Sequence, residues 1–218
     1  MIDIIIVISF SYIFGSIPFG LILTRFFGNL DIRKIGSGNI GATNVLITGN
    51  RLLAAITLLL DVLKGYEPVI IYLKYFPELT QLSCIITFLG HVFPIWLKFK
   101  GGKGVATYLG ILFAISLQLS FLFIFTWLVV ALIFKYSSLS SMFSSLTVFI
   151  VFFVKNTALK NISPNLIISE DIKLLLFIFF ILIIFTHRKN ISNLKNKTEQ
   201  KNKNLDNKPF FSYFKTLN

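Results

Sequence analysis

The chain contains few of the side chains that enzymes use for covalent or metal-dependent chemistry. Its 218 residues include one cysteine, Cys84, and two histidines, His91 and His187. A single cysteine excludes a disulfide bond within the chain. The aspartates are few and widely separated: Asp3, Asp31, Asp61, Asp171 and Asp206. The sequence therefore predicts no metal site and no cofactor, and it offers no credible nucleophile in a Ser–His–Asp or cysteine arrangement.

Acidic residues are scarce as well. Nine Asp and Glu residues stand against 21 Lys and Arg residues, which gives a formal charge of +12. Lysine and arginine are rare within the apolar runs and frequent between them, a pattern typical of the positive loops of membrane proteins. Hydrophobic residues make up 55% of the chain, more than a soluble domain of this length can bury. The sequence predicts an integral membrane protein with membrane lipid, and no nucleic acid, as a partner.

Long apolar runs separated by polar segments predict an all-α polytopic fold. The runs are Ile2–Thr24, Leu52–Tyr72, Leu82–Leu97, Val105–Phe134, Met142–Ala158 and Ile172–Thr186. Val105–Phe134 is long enough for one overlong helix or for two short helices broken near Ser116 and Gln118. Two helices place the basic loops and the basic tail on the cytoplasmic side, as the positive-inside rule requires. We therefore expect seven spans, some of them short, with the N-terminus outside and the C-terminus in the cytoplasm.

The segment GHVFPIWLKFKGGKGVAT, Gly90 to Thr107, has the composition of an anion-binding loop. Gly101, Gly102 and Gly104 allow the backbone to approach a ligand and to turn its N–H groups inward, and Lys103 adds a positive charge. A helix that begins near Val105 would add its positive N-terminal end. The simpler interpretation is a basic loop that anchors a membrane helix.

Other polar segments are expected on the same cytoplasmic face. They are GSGNIGATN at Gly36–Asn44, KYSSLSS at Lys135–Ser141 and HRKNI at His187–Ile191. Each offers small polar donors or positive charge, so together they could surround a phosphate-bearing ligand, while the spans provide an apolar slot that opens to lipid. Any polytopic protein places its polar loops on one face or the other, so this convergence alone does not decide the function.

Two supporting features lie inside the predicted spans. Asp61 and Lys64 are three residues apart on one helical face, where a mutual ion pair is the economical arrangement. An ion pair that only holds neighbouring helices together explains this spacing as well as an ion pair that contacts a substrate. His91, near the end of its span, has a structural interpretation too, as a hydrogen-bond partner of a loop carbonyl.

The motifs resemble those of a known family, the bacterial membrane glycerol-3-phosphate acyltransferases that use acyl phosphate as donor, the PlsY family. Three motifs match in order: SGNIGATNV from Ser37, GHVFPIWLKFKGGKGVAT from Gly90, and HRKNI from His187 with Leu194 and Glu199 after it. GSIPFG at Gly15–Gly20 and DVLKG at Asp61–Gly65 also resemble family segments. The resemblance covers about residues 10–199.

The resemblance implies transfer of a fatty acyl group from acyl phosphate to the C1 hydroxyl of glycerol-3-phosphate, which gives lysophosphatidic acid and phosphate in phospholipid biosynthesis. It implies a location in the bacterial inner (plasma) membrane and a functional link to the enzyme that makes acyl phosphate. Residues 1–191 would form one membrane-embedded catalytic domain, and residues 192–218 a basic, polar, partly disordered cytoplasmic tail.

The resemblance also assigns residues to the site. The expected catalytic residues are Ser37, Lys103, His187 and Asn190. The expected substrate-binding residues are Ser37, Gly38, Asn39, Asn44, Gly101, Gly102, Lys103, Gly104, Lys135, Ser138, Ser141, His187 and Asn190. Asp61, Lys64 and His91 are expected to support them. No metal ion belongs to this set.

The sequence departs from the family pattern at several positions. Ile47 stands where family members usually have an arginine, which removes one phosphate contact that Arg51 or Lys135 would have to replace. In the third motif Thr186 and Asn193 stand where arginine is common, and Lys197 stands where glycine is. These changes bear on the affinity for substrate more than on the existence of activity.

An acyl phosphate carries its own good leaving group, so the expected mechanism is direct attack by the glycerol hydroxyl, aided by positioning and electrostatics. The proton acceptor stays open among His187, His91 and the phosphate of the substrate. One alternative function comes from a different class, a membrane transporter of a phosphorylated or anionic solute. Against it, the sequence shows no internal repeat of the kind that many transporters carry.

Overall fold

The computed structural model of the chain describes residues 2–162, 170–199 and 201. Within these residues the only regular structure is helical. Ten α-helices follow one another: α1 (Ile2–Gly15), α2 (Phe19–Gly28), α3 (Ala42–Ile47), α4 (Arg51–Tyr75), α5 (Thr80–Val92), α6 (Val105–Ile115), α7 (Leu117–Phe134), α8 (Ser137–Ile162), α9 (Glu170–Thr186) and α10 (Arg188–Lys195). Short 3₁₀ turns lie at Ile32–Lys34, Pro77–Leu79 and Ile95–Leu97.

Local chemistry explains two breaks within long apolar runs. Between α1 and α2 lies Pro18, which has no N–H group to continue a helix. Between α6 and α7, Ser116 adopts an extended backbone, and its hydroxyl accepts a hydrogen bond from the N–H of Leu119, so that it caps α7. The break expected near Ser116 is confirmed.

Several helices are long and apolar enough to cross a membrane. Of the described residues, the segments that meet this condition are Ile2–Gly28, Pro77–Leu97, Leu117–Phe134 and Ser137–Lys155. Ile172–Thr186 joins them if it is taken together with Arg188–Lys195, from which it is bent by 57°. The long helix α4 contains the charged residues Asp61, Lys64 and Glu67. The protein is therefore a multi-pass helical membrane protein, whereas the count of seven spans and their orientation stay predictions.

Glycines allow the helices to pack closely. A Cβ atom on Gly15 of α1 would collide with the backbone carbonyl of Thr87 in α5. A Cβ on Gly65 of α4 would meet the carbonyl of Thr107 in α6, and one on Gly110 of α6 would meet the carbonyl of Val62. Small residues at such crossings let membrane helices approach each other through their backbones. These contacts hold α1 against α5 and α4 against α6.

An aromatic core lies where α5, α6, α7 and α9 meet. The Tyr108 ring lies 5.0 Å from the Phe179 ring and 5.5 Å from the Phe123 ring, and Phe88 lies 5.4 Å from Phe179. All of these side chains are buried. Because Tyr108 belongs to the first turns of α6, this core fixes the start of that helix, two residues after Lys103.

The predicted boundary between domain and tail at residues 191 and 192 falls inside α10. Residues 196–199 continue from this helix, and the Glu199 carboxylate accepts a hydrogen bond from Ser138 at the start of α8. Most of the predicted tail, residue 200 and residues 202–218, lies outside the described part of the chain. The division into a domain and a tail stays a prediction.

Candidate active site

The loop before α6 is held by the end of α5. The N–H of Gly101 donates to the carbonyl of Val92 at 3.0 Å, and the N–H of Gly102 donates to the carbonyl of His91 at 3.1 Å. These two N–H groups are therefore already used, so the structure does not show them turned toward a ligand as the sequence suggested. Gly101 and Gly102 are instead required because a Cβ on either would collide with His91.

The donors that remain are at the start of α6. Gly104 precedes this helix with φ +81°, a left-handed conformation that favours glycine. The N–H groups of the first turn, which begins at Val105, have no carbonyl partner within their own helix. A helix N-terminus with free N–H groups is a ready site for an anion. The predicted helix start at Val105 is confirmed, and it places these donors beside Lys103.

Lys103 is half-buried, and α9 holds its backbone. The hydroxyl of Thr186, the last residue of α9, donates to the carbonyl of Lys103 at 3.1 Å. Burial lowers the pKa of the Lys103 ammonium, and the nearby Glu199 carboxylate opposes that shift. Thr186, which replaces an arginine of the family pattern, therefore has a role of its own in positioning the lysine.

Glu199 joins four of the predicted site residues into one cluster. Its Oε1 atom accepts hydrogen bonds from the hydroxyl of Ser138 at 2.8 Å and from the side-chain amide of Asn190 at 2.6 Å. Its charge acts on Lys103 and on His187. Glu199 matches the third motif but is missing from the predicted site residues. We call Lys103, Ser138, His187, Asn190 and Glu199 the Lys103 cluster.

His187 is buried at the junction of α9 and α10, with 1% of its surface exposed. Its Nδ1 atom lies 2.8 Å from the carbonyl of Ile183, an acceptor, so the proton sits on Nδ1 and Nε2 is left with a lone pair. Burial, and next the charge of Lys103, lower the pKa of His187 from 6.5 to about 4. The imidazole is therefore neutral at physiological pH and can accept a proton or a hydrogen bond.

The polar residues at the start of α8 are buried. The Ser141 hydroxyl donates to the carbonyl of Ser137 at 2.8 Å and accepts from the indole N–H of Trp127 at 3.1 Å. Trp127, on α7, is a neighbour that the sequence did not point to, since nothing in the apolar run around it indicates a polar contact. Lys135, just before α8, ends α7 in a left-handed conformation with φ 62°.

The segment Gly36–Asn44, called here the Ser37 loop, is organised around one amide. The Asn44 side-chain nitrogen donates to the carbonyls of Asn39 at 2.7 Å, Ile35 at 3.0 Å and Ile32 at 3.1 Å. Its Oδ1 atom accepts from the N–H and the hydroxyl of Ser37. Because Asn44 is buried and its amide is engaged within the loop, its direct contact with a substrate stays a prediction.

The outer residues of this loop are open. Ser37 and Gly38 are exposed, and Gly38 has φ +70°. Asn39 accepts from the N–H of Gly41 through its Oδ1 atom, which leaves the side-chain N–H₂ group as a donor. None of the hydrogen bonds found in the described residues joins this loop to Lys103. The structure therefore brings Lys103, Ser138, His187 and Asn190 together, whereas the side-chain hydrogen bonds of the Ser37 loop stay within the loop and the residues next to it.

Ile47, where the family pattern has an arginine, ends α3 with about half of its side chain exposed. In the segment between α2 and α3, Asp31 accepts from Arg33 at 2.6 Å and from Arg25 at 3.2 Å, and the hydrogen bond from Arg33 holds the pKa of Asp31 well below its usual range. These two arginines therefore neutralise Asp31. Compensation for Ile47 by Arg51, the first residue of α4, or by Lys135 stays a prediction.

Asp61, Lys64 and His91 lie deep in the bundle. The Lys64 ammonium is 2.8 Å from Asp61 Oδ1, so the ion pair expected from the sequence is confirmed. His91 Nδ1 lies 3.9 Å from the same carboxylate oxygen. In the described residues the His91 side chain makes no hydrogen bond to a loop carbonyl; its backbone carbonyl accepts from the loop instead.

Fold and site together define a class: a helical membrane protein with a cluster of cationic and neutral hydrogen-bond donors around one carboxylate at one end of its bundle. The family model described as glycerol-3-phosphate acyltransferase matches residues 5–197. The chain belongs to this family, and it is a membrane glycerol-3-phosphate acyltransferase that acts in phospholipid biosynthesis.

Individual relatives agree with the family match. The chain is 52% identical to a glycerol-3-phosphate acyltransferase of Pelagibacter ubique over 91% of its length and 97% of that protein. It is 47% identical to a protein of the same name from Mesorhizobium japonicum, over 90% and 95% of the two chains. Its fold is similar to crystal structures of PlsY, an integral membrane glycerol 3-phosphate acyltransferase, in the glycerol 3-phosphate form (TM-score 0.82, 32% identity) and the lysophosphatidic acid form (TM-score 0.80, 31% identity). Both comparisons cover 91% of this chain and 95% of the other.

Proposed function

We propose that the protein moves a fatty acyl group from acyl phosphate to the C1 hydroxyl of glycerol-3-phosphate. The hydroxyl oxygen attacks the acyl carbonyl carbon, the bond from that carbon to the phosphate oxygen breaks, and inorganic phosphate leaves. The products are lysophosphatidic acid and phosphate. The observation that carries the proposal is the Lys103 cluster, in which a lysine, a neutral histidine and amide and hydroxyl donors surround one carboxylate.

The phosphate of glycerol-3-phosphate binds, in this proposal, at the Lys103 cluster. Ser138 and Asn190 already donate to a carboxylate there, and a phosphate oxygen accepts the same hydrogen bonds. The Lys103 ammonium and the N–H groups at the start of α6 add charge and further donors. The glycerol 3-phosphate form of the related PlsY structure supports this substrate. The Ser37 loop, in which Ser37 and Gly38 are exposed and the Asn39 amide keeps its N–H₂ donors, adds further hydrogen bonds to the substrates in this proposal.

Catalysis rests on positioning and electrostatics, because phosphate is a good leaving group and needs no covalent enzyme intermediate. Lys103 fixes the phosphate of glycerol-3-phosphate and so directs the C1 hydroxyl at the acyl carbonyl carbon in the transition state. His187 is neutral, and its Nε2 atom is free to accept the hydroxyl proton. His91 is less suited, because its Nε2 atom is packed so closely against Gly102 that a Cβ there would collide with it. The phosphate of the substrate is the other acceptor in this scheme.

We also propose that α1 with α2, and then α4, α5, α6, α7, α8 and α9, form seven spans in the bacterial inner membrane. The N-terminus then lies outside, and the Lys103 cluster faces the cytoplasm, where glycerol-3-phosphate and the enzyme that makes acyl phosphate are found. The basic residues Arg188, Lys189 and Lys195 of α10 fit the cytoplasmic side. Cysteines placed singly at Lys100 and Gln118, with Cys84 replaced by serine, test this topology. An impermeant thiol reagent added outside should label position 118 and not position 100.

The experiment for the function uses the purified full chain in liposomes. With glycerol-3-phosphate and palmitoyl phosphate we expect lysophosphatidic acid and inorganic phosphate in equal amounts. Exchange of labelled glycerol-3-phosphate across the membrane without any acyl donor would favour the transporter, and absence of product with a folded protein would refute the proposal.

A further inference from the structure

Three ionisable side chains lie inside the bundle beside the loop of Lys103, and the proposed chemistry uses none of them. Asp61 is 2% exposed, Lys64 is 1% exposed and His91 is 4% exposed. Removing charges from water is costly, and apolar residues of similar volume often stabilise a fold as well as a buried ion pair does. A role beyond stability would explain why charges occupy these positions.

On one side the network reaches the break between α1 and α2. The Lys64 ammonium donates to the carbonyl of Ile17 at 2.6 Å, directly before Pro18. It also lies 5.6 Å from the centre of the Phe19 ring, at the start of α2. Lys64 therefore contacts both sides of the break and is itself fixed by Asp61 at 2.8 Å.

On the other side the network reaches the loop of Lys103. The Asp61 carboxylate, paired with Lys64, faces His91 Nδ1 at 3.9 Å, and this nitrogen has no hydrogen-bond partner in the described part of the chain. The opposite edge of the His91 ring lies against Gly102, so closely that a Cβ atom on Gly102 would collide with His91 Nε2. The backbone carbonyl of His91 accepts the N–H of Gly102 at 3.1 Å. The ring and the backbone carbonyl of His91 therefore both contact Gly102 and support the loop.

We propose that Asp61 and Lys64 are positioning residues, which act through the His91 ring to hold Gly101 and Gly102 and so to place Lys103 for the phosphate of glycerol-3-phosphate. Asp61 orients the imidazole by facing Nδ1, and Lys64 orients Asp61 by anchoring it to Ile17. This inference rests on the proposed function for its ligand. It differs from a helix lock, which would support the fold but would leave the loop unaffected.

The test replaces both charges together. The double variant Asp61→Leu, Lys64→Met leaves no unpaired buried charge, so the fold should persist. We expect the KM for glycerol-3-phosphate to rise at least about tenfold, because a small displacement of a positioning group costs that much or more. The KM for palmitoyl phosphate should change less than about threefold, because the positioning acts on the other substrate. Unchanged kinetic constants in the folded double variant would overturn the proposal.

A matched control removes another buried polar pair. The Ser11 and Ser83 hydroxyls lie 2.9 Å apart between α1 and α5, away from the loop. The double variant Ser11→Ala, Ser83→Ala should alter the thermal unfolding midpoint without changing the KM for glycerol-3-phosphate. An equal rise of that KM in both double variants would mean that loosened helix packing alone is responsible, and it would overturn the positioning role.

A second measurement does not depend on activity. The amides of Gly101 and Gly102 donate to Val92 and His91, so their hydrogen exchange reports directly on the order of the loop. Exchange in the segment 98–104 should be faster in Asp61→Leu, Lys64→Met and unchanged in the serine control. If the double variant fails to fold, Asp61→Asn, Lys64→Gln, which nearly keeps the side-chain volumes and also leaves no unpaired buried charge, replaces it with the same expectation. If residues 98–104 of the double variant exchange at the wild-type rate, the inference is overturned even when the proposed reaction is confirmed. Faster exchange in the double variant would support the inference even if the reaction were not found.

Discussion

The Lys103 cluster and the Ser37 loop are built in opposite ways. In the cluster, the hydrogen bonds join residues far apart in the chain, such as Ser138 with Glu199 and Thr186 with Lys103. In the loop, every hydrogen bond of the Asn44 side chain stays within twelve residues of it. The cluster therefore exists only when α6, α8, α9 and α10 are packed, whereas the loop holds its own shape. One half of the candidate site depends on the packing of distant helices, and the other half is a local structure.

The largest expected effect comes from the cluster. Lys103→Ala should lower kcat/KM for glycerol-3-phosphate at least about 100-fold, because it removes a charged donor that acts in the transition state. Lys100→Ala, which removes an exposed lysine of the same segment, is the matched control and should retain activity within about threefold, as expected for an exposed charge. Similar losses in both variants would show that general positive charge, and not the cluster, attracts the substrate.

The next effect tests the loop. Asn44→Ala removes several hydrogen bonds at once, and a net loss of about 2 kcal/mol corresponds to about a 30-fold fall in kcat/KM. The thermal unfolding midpoint should change little, because the loop packs apart from the aromatic core. Thr48→Val, which deletes one local hydrogen bond next to the loop, should be nearly neutral. A large drop of the midpoint with Asn44→Ala would contradict the local character of the loop.

A gain of function is expected beside the loop. Ile47 is half-exposed at the end of α3, so Ile47→Arg adds a cation without burying it. A new charged hydrogen bond to phosphate is worth about 1 kcal/mol, so the KM for glycerol-3-phosphate should fall about fivefold. Ile47→Gln, of similar polarity but without charge, serves as the control. No change with arginine would mean that another cation already occupies this position.

The last effect concerns stability and not activity, and it is a pH dependence due to His187. Its pKa is lowered to about 4 in the folded protein, against 6.5 for an unperturbed histidine. Above pH 6.5 both states are neutral at this residue and it has no effect on stability. As the pH falls from 6.5 to about 4, the unfolded chain binds a proton that the folded chain does not, so stability decreases. The thermal unfolding midpoint of wild type should fall more over this range than that of His187→Gln, and parallel curves would contradict the buried neutral state.

Local chemistry made part of the structure predictable from the sequence. Pro18 and the Ser116 cap mark breaks that depend on single residues, and the apolar runs locate the long helices. The spacing of Asp61 and Lys64 predicts their ion pair because residues three apart share a helical face. The bend of 57° between α9 and α10 and the short helix α3 were not predicted, since each depends on how its polar residues are partnered.

Contacts between distant residues could not be predicted. Motif resemblance pointed to Lys103, His187 and Asn190, but nothing local to Glu199 indicates that it bridges Ser138 and Asn190. Likewise, glycines in a basic loop suggest backbone N–H groups that point at a ligand. In the structure, Gly101 and Gly102 are needed because a Cβ atom at either position would collide with His91. The reason is the same in both cases, because the packing of separate helices decides which groups remain free.

The most direct measurement of the central claim compares acyl donors with one purified protein. Wild type and Lys103→Ala are each given glycerol-3-phosphate with palmitoyl phosphate, with palmitoyl-CoA or with palmitoyl acyl carrier protein, and lysophosphatidic acid is quantified. The account predicts product from wild type with palmitoyl phosphate alone, and at least about 100-fold less from Lys103→Ala. Product formed from palmitoyl-CoA at a comparable rate, or full activity of Lys103→Ala, would contradict it.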